Sequence, residues 1–187
     1  MFRRLESALG SLERAVTLVA VVCLFAIMLI VVTDVFMRYV INRPFSFTYD
    51  LVGMYLMAGL FYLALSDTFA IHAHVSVDIL VHRFSVPVRR LCEIVTCLCG
   101  LAVFSLITWL GLNRAIENFV NGDVLAGAIP WPSWASAALV PLGCAVLALR
   151  LLLHLIAHGV SLASGRNLIA LPPLSGTGAA AQESNFE

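Results

Sequence analysis

Charged and strongly polar positions are so unevenly spread along this chain that four long apolar stretches stand out. From Ala15 to Thr33 no residue carries a charge. As a helix that stretch reaches about 28 Å, against a bilayer hydrocarbon core of about 30 Å. A cleavable signal peptide has a shorter apolar core followed by small residues, whereas this one runs into Asp34 and Arg38 and is expected to remain as an anchor. With the other three stretches it predicts helices over 15–37, 48–67, 91–112 and 134–158, each long enough to cross. Pro141 lies inside the fourth and predicts a kink there. The expected fold class is an all-α integral membrane protein of four transmembrane helices, with a membrane domain over 15–160.

The flanks read differently. Phe2, Leu5, Leu9, Leu12 and Val16 recur at helical spacing, with Arg3, Arg4, Glu6, Ser11, Glu13 and Arg14 on the other faces. That pattern predicts an amphipathic helix over 1–14 lying in the membrane surface and leading into the first span. From Ser164 the composition shifts to Gly, Ser, Ala and Pro. Residues 161–187 hold too little apolar surface to offset the entropy of ordering them and are expected to form a disordered cytoplasmic tail.

Composition sharpens the class. Apolar residues make up 61% of the 187 and charged residues 12%, a balance that would leave large apolar patches on any soluble globule and so nearly excludes a soluble enzyme. Eleven basic residues, all arginine, match eleven acids, which leaves no positive surplus for phosphate contacts and argues against nucleic acid as a partner. The arginines also orient the chain. Arg3, Arg4, Arg14, Arg83, Arg89, Arg90, Arg150 and Arg166 fall on one side of the four spans, and Arg38, Arg43 and Arg114 on the other. The positive-inside rule then places both termini and the middle loop in the cytoplasm.

A carrier acting alone needs intramembrane charges, broken helices or internal repeats around a midplane site. The central stretches of all four spans contain no Asp, Glu, Arg or His, so no catalytic or transport site is expected in them. Asp34 and Arg38 have the i, i+4 spacing of a helical ion pair at the end of span one, and Asp50 could join them across a turn around Pro44. The pair reads either as a tether for the helix end or as a hairpin-locking or partner-docking element. The run from His72 through His74 to Asp78, with His82 beyond, raises a metal site. Its spacing matches no strong zinc pattern, and an exposed interfacial segment, or failing that a structural His74–Asp78 link, accounts for it better. No metal and no cofactor are expected. Cys92, Thr96 and Gly100 repeat at i, i+4, i+8 and form a small-residue stripe suited to close helix contact in lipid. Two rival readings are a stand-alone proton-coupled exporter built around Asp34 and a haem or quinone redox protein.

Three motifs in order make the chain resemble a known family. The first runs from Arg38-Tyr39 through Arg43-Pro44-Phe45-Ser46-Phe47-Thr48-Tyr49 to Asp50. The second is His74-Val75-Ser76-Val77-Asp78 after span two, and the third leads from Pro130-Trp131 through Trp134 to Val140-Pro141-Leu142-Gly143. Over nearly all of residues 1–160 the chain resembles the small membrane subunit, DctQ-type, of tripartite ATP-independent periplasmic (TRAP) transporters. The resemblance implies a non-enzymatic, multi-pass protein of the bacterial inner membrane. Its partners would be a large multi-span permease subunit, a periplasmic substrate-binding protein and membrane lipid, and the assembly would import organic acids on a sodium gradient. The small subunit would scaffold the large one and offer the outer segments 39–49 and 113–133 to the binding protein.

Overall fold

A computed structural model of the protein describes residues 2–43, 45–70, 86–125 and 129–164. They form four long helices and, among the described residues, no strand beyond one isolated bridge between Val124 and Pro132. Helix α1 spans Phe2–Phe36, α2 Thr48–Ala70, α3 Val86–Asn121 and α4 Ser133–Ser164. Each is long and apolar enough to cross a membrane.

The amphipathic segment and the first span are one uninterrupted helix. The side of α1 turned inward carries Leu9, Glu13, Ala20 and Asp34. This stripe runs without a break from the N-terminal segment into the span, while Leu12 of the expected apolar face is exposed. The helix closes through one wide turn, Met37–Ile41, and stops at Asn42, whose backbone is left-handed with φ of 59°. Asparagine is among the few residues that tolerate this conformation. The turn lets the amides of Asn42 and Arg43 both bond the Met37 carbonyl, satisfying a helix end that water cannot always reach.

Helix α3 continues well past the predicted 91–112 stretch, to Asn121. The loss of hydrophobicity after Leu112 marks where apolar surroundings end, and the helix itself stops only at a conformational signal. Gly122 takes φ of 65°, and the Asp123 amide closes on the Asn118 carbonyl at 3.0 Å, the usual glycine-based C-cap.

Helix α4 is the centre of the bundle. Its most extensive contact is with α3 and its next with α2, and α1 in turn packs mainly on α2. About a third of α4's apolar window is buried inside the chain, against 6% for α1, so α4 is a packed core helix and α1 a peripheral one. The core between α3 and α4 is built from Cys97, Leu147 and Leu151, with Phe69, Leu101 and Phe104 around them. In lipid no hydrophobic force drives such helices together; close van der Waals packing and interhelical hydrogen bonds must do it. Some hydroxyls not used between helices bond their own backbone, as Thr33 does to Leu29 and Thr108 to Phe104, both at 2.7 Å, which satisfies them without water.

Candidate functional site

The polar groups that join helices are concentrated at the two ends of the bundle. At one end the carboxylate of Asp34, only 5% exposed, accepts three hydrogen bonds. The guanidinium of Arg38 donates to it at 3.0 Å, the backbone amide of Phe45 at 2.8 Å and the hydroxyl of Thr48 at 3.2 Å. The acid therefore closes the hairpin between α1 and α2, bonding both the connecting segment and the first residue of α2. Arg38 is 60% exposed on its side chain, so the pair itself is half in solvent or headgroups. Asp50 is half-buried but makes no side-chain bond among the described residues; Thr48 holds the position expected of it.

At the opposite end Glu13 is buried to 3% exposure. The Ser66 hydroxyl of α2 donates to its Oε1 at 2.5 Å, and the Arg150 guanidinium of α4 lies 3.5 Å from its Oε2. One acid thus links three helices. Such a cluster is costly to desolvate and holds only because each charge finds its partner. His154 and His158 of α4 lie close by in sequence, with His158 buried and the His154 ring edge-on to Phe69 at 5.4 Å.

Between the ends, contact depends on absent side chains. At Gly143 a Cβ would collide with the backbone carbonyl of Tyr62 and lie 2.9 Å from that residue's own Cβ, so α2 and α4 approach as closely as backbones can. Two positions earlier, buried Pro141 faces α3, where its ring would come within 3.1 Å of a Cβ at Gly111. Pro141 and Gly143 therefore fit α4 against its two neighbours at one level. Of the stripe Cys92, Thr96 and Gly100, Gly100 faces α4, 3.2 Å from the Leu151 side chain to a built Cβ, while Cys92 and Thr96 are exposed. The inward side of α3 instead carries Arg90, Cys97 and Ala115, one register away from that stripe.

The segment before α4 is also fixed. The Leu125 amide bonds the Trp131 carbonyl at 2.8 Å, and the Ser133 amide bonds the Asp123 carbonyl at 3.0 Å. The Tyr55 hydroxyl of α2 donates to the Pro132 carbonyl, and its ring lies against Trp131 with centroids 5.9 Å apart. Pro130 is exposed. Pro44, His72, His74, Asp78, His82 and the segment 165–187 lie outside the described residues. Sequence reasoning missed Glu13, Ser66 and Tyr55, and used Arg150 only to orient the chain.

Comparisons of the whole chain with curated proteins and with solved structures gave no match. A family match covers residues 27–158, from the middle of α1 almost to the end of α4, and carries the description Tripartite ATP-independent periplasmic transporters, DctQ component. With four membrane-length helices in the expected order and the Pro141-Leu142-Gly143 motif at the tightest helix contact, the chain belongs to the DctQ family, the small permease components of TRAP transporters.

Proposed function

We infer that this subunit is a rigid, non-catalytic membrane scaffold for a large multi-span permease subunit, in a system that imports organic acids on a sodium gradient with a periplasmic binding protein. The observation that carries this reading is the use of the buried acids. Glu13 and Asp34 are both engaged in joining helices, at opposite ends of the bundle, and the packed layer between them is apolar. A scaffold needs such internal locks and an uncovered lateral surface. That surface exists: Leu18, Val22, Phe25, Leu29 and Val32 of α1 are all at least half exposed.

Arginine placement supports an inner-membrane orientation with both termini in the cytoplasm. The Asp34 end then faces the periplasm, where 39–49 and 113–133 are in position to meet the binding protein. The carboxylate of Asp34 is filled by three donors that lock the hairpin, which speaks against the exporter reading that would use it as a proton carrier.

The test is mass spectrometry of what co-purifies with the tagged chain from native membranes in mild detergent. A stoichiometric multi-span permease is expected. A homo-oligomer lacking any such partner would overturn the scaffold reading.

A further inference from the structure

At the Asp34 end, α2 and α3 stand apart over the first turns of α4 and leave a groove of about 590 Å³, within the size range of ligand sites. One wall is Met54 and Ala58 of α2, the other Arg114 and Asn118 of α3, and Ala137 and Val140 of α4 line it between them. Asp123 closes the end. Its backbone is fixed by its own amide, which donates to the Asn118 carbonyl, and by the Ser133 hydroxyl, which donates to its carbonyl at 2.8 Å. The side chains of Arg114 and Asp123 have no ion-pair partner among the described residues.

The depth of the groove follows from α3. Its charge-free stretch from Ile94 to Asn113 spans about 30 Å, one hydrocarbon thickness, which puts Arg114 at headgroup level. Trp131, Trp134 and Tyr55 stand at the same end, as interfacial aromatics do. The groove thus offers a cation and an anion where phosphates and headgroups lie, and apolar lining at Ala58 and Val140 further down.

We propose that this groove binds one phospholipid with a zwitterionic primary-amine headgroup, its phosphate on Arg114, its ammonium on Asp123 and an acyl chain along Ala137 and Val140. Charge complementarity selects this class. Arginine favours phosphate through directed, charge-assisted bonds. The Asp123 carboxylate accepts from a primary ammonium, finds no hydrogen-bond donor on a trimethylated one, and meets no cation on an anionic glycerol headgroup. A protein helix laid here would have to cover both charges with its own side chains.

Native mass spectrometry of the delipidated full-length protein, titrated with phosphatidylethanolamine, phosphatidylcholine and phosphatidylglycerol, tests this. The ethanolamine lipid should bind about tenfold more tightly than the other two, and Arg114→Ala should weaken it about tenfold. Asp123→Asn should erase the preference over phosphatidylcholine and leave phosphatidylcholine itself unchanged. Ala137→Phe, which fills the groove, should reduce all three. Equal binding of the three lipids to the unaltered protein, or unaltered binding by Arg114→Ala, would overturn the proposal. So would a photo-cross-linker at Ser136→Cys, on the α4 side of the groove, that captures a polypeptide in native membranes, because the groove would then belong to a protein partner.

Discussion

Asp34 and Glu13 do the same job at opposite ends of one bundle, yet they draw on the chain in different ways. Every partner of Asp34 lies within fourteen residues of it. Glu13 reaches Ser66, 53 residues on, and Arg150 in the last helix. The first lock closes a hairpin and can form as soon as α1 and α2 meet. The second forms only when α4 has docked, so it reports on the assembled bundle. One is local and partly solvated, the other long-range and buried, and the difference sets how much each should matter when broken.

The largest effect is expected at the buried lock. Glu13→Ala leaves Arg150 without its counter-ion beside apolar helices, a loss of about 3–5 kcal/mol, and thermal unfolding in detergent should show a clearly lowered midpoint. The double variant Glu13→Gln with Arg150→Met should recover most of that loss; if it remained as unstable as the single variant, the ion pair would not be the cause. The next effect belongs to the layer between the locks. Gly143→Ala must push α2 and α4 apart at Tyr62, at about 1–3 kcal/mol. A cysteine pair placed across that contact should then cross-link more slowly, and an unchanged rate would argue that the helices are not in fact in backbone contact.

The hairpin lock comes third. Asp34→Ala orphans the Phe45 amide and the Thr48 hydroxyl, an expected loss of about 1–3 kcal/mol. It should appear as faster hydrogen exchange at Phe45 with the Glu13 end unaffected. Faster exchange at both ends would dissolve the distinction between a local and a long-range lock. The smallest effects are those of Arg38→Ala and Asp50→Ala. An exposed ion-pair partner contributes about 0–1 kcal/mol, and Asp50 has no bonded partner to lose among the described residues. If either variant left stability intact but reduced co-purification of the permease, that side chain would be a docking group and no longer part of the lock. Intact assembly and uptake in both would remove the docking role.

The two ends also differ in how readable they were. The i, i+4 spacing of Asp34 and Arg38 is a local signal, but Asp50, expected to join them, does not: Thr48 takes that place, because its hydroxyl donates to the Asp34 carboxylate where Asp50 would have repelled it. Glu13 gave no such signal. It shares a helix face with Leu9 and Ala20 but has no oppositely charged residue three or four positions away, and only the approach of α2 and α4 gives it partners. The small-residue stripe on α3 shows the same limit. Cys92, Thr96 and Gly100 are as regular as a packing face, yet Cys97 lies one position round the helix from Thr96 and is the buried one. Periodicity shows that a face exists; it does not say which neighbour the face meets.

The sequence by itself determined that this chain lives in a bilayer, crosses it four times and keeps charge out of the middle. Those properties follow from the cost of placing backbone and charge in hydrocarbon, which acts on each segment separately. It also carried the turn chemistry of Asn42 and Gly122, because left-handed backbone is a property of single residues. Only the tertiary structure decided that α4 is the central helix, that Glu13 is interior and that Gly143 rests on the Tyr62 carbonyl. In lipid every apolar face is equally content to meet lipid or protein, so the choice among faces rests on shape and on a few long-range polar bonds. Neither exists until the helices are side by side.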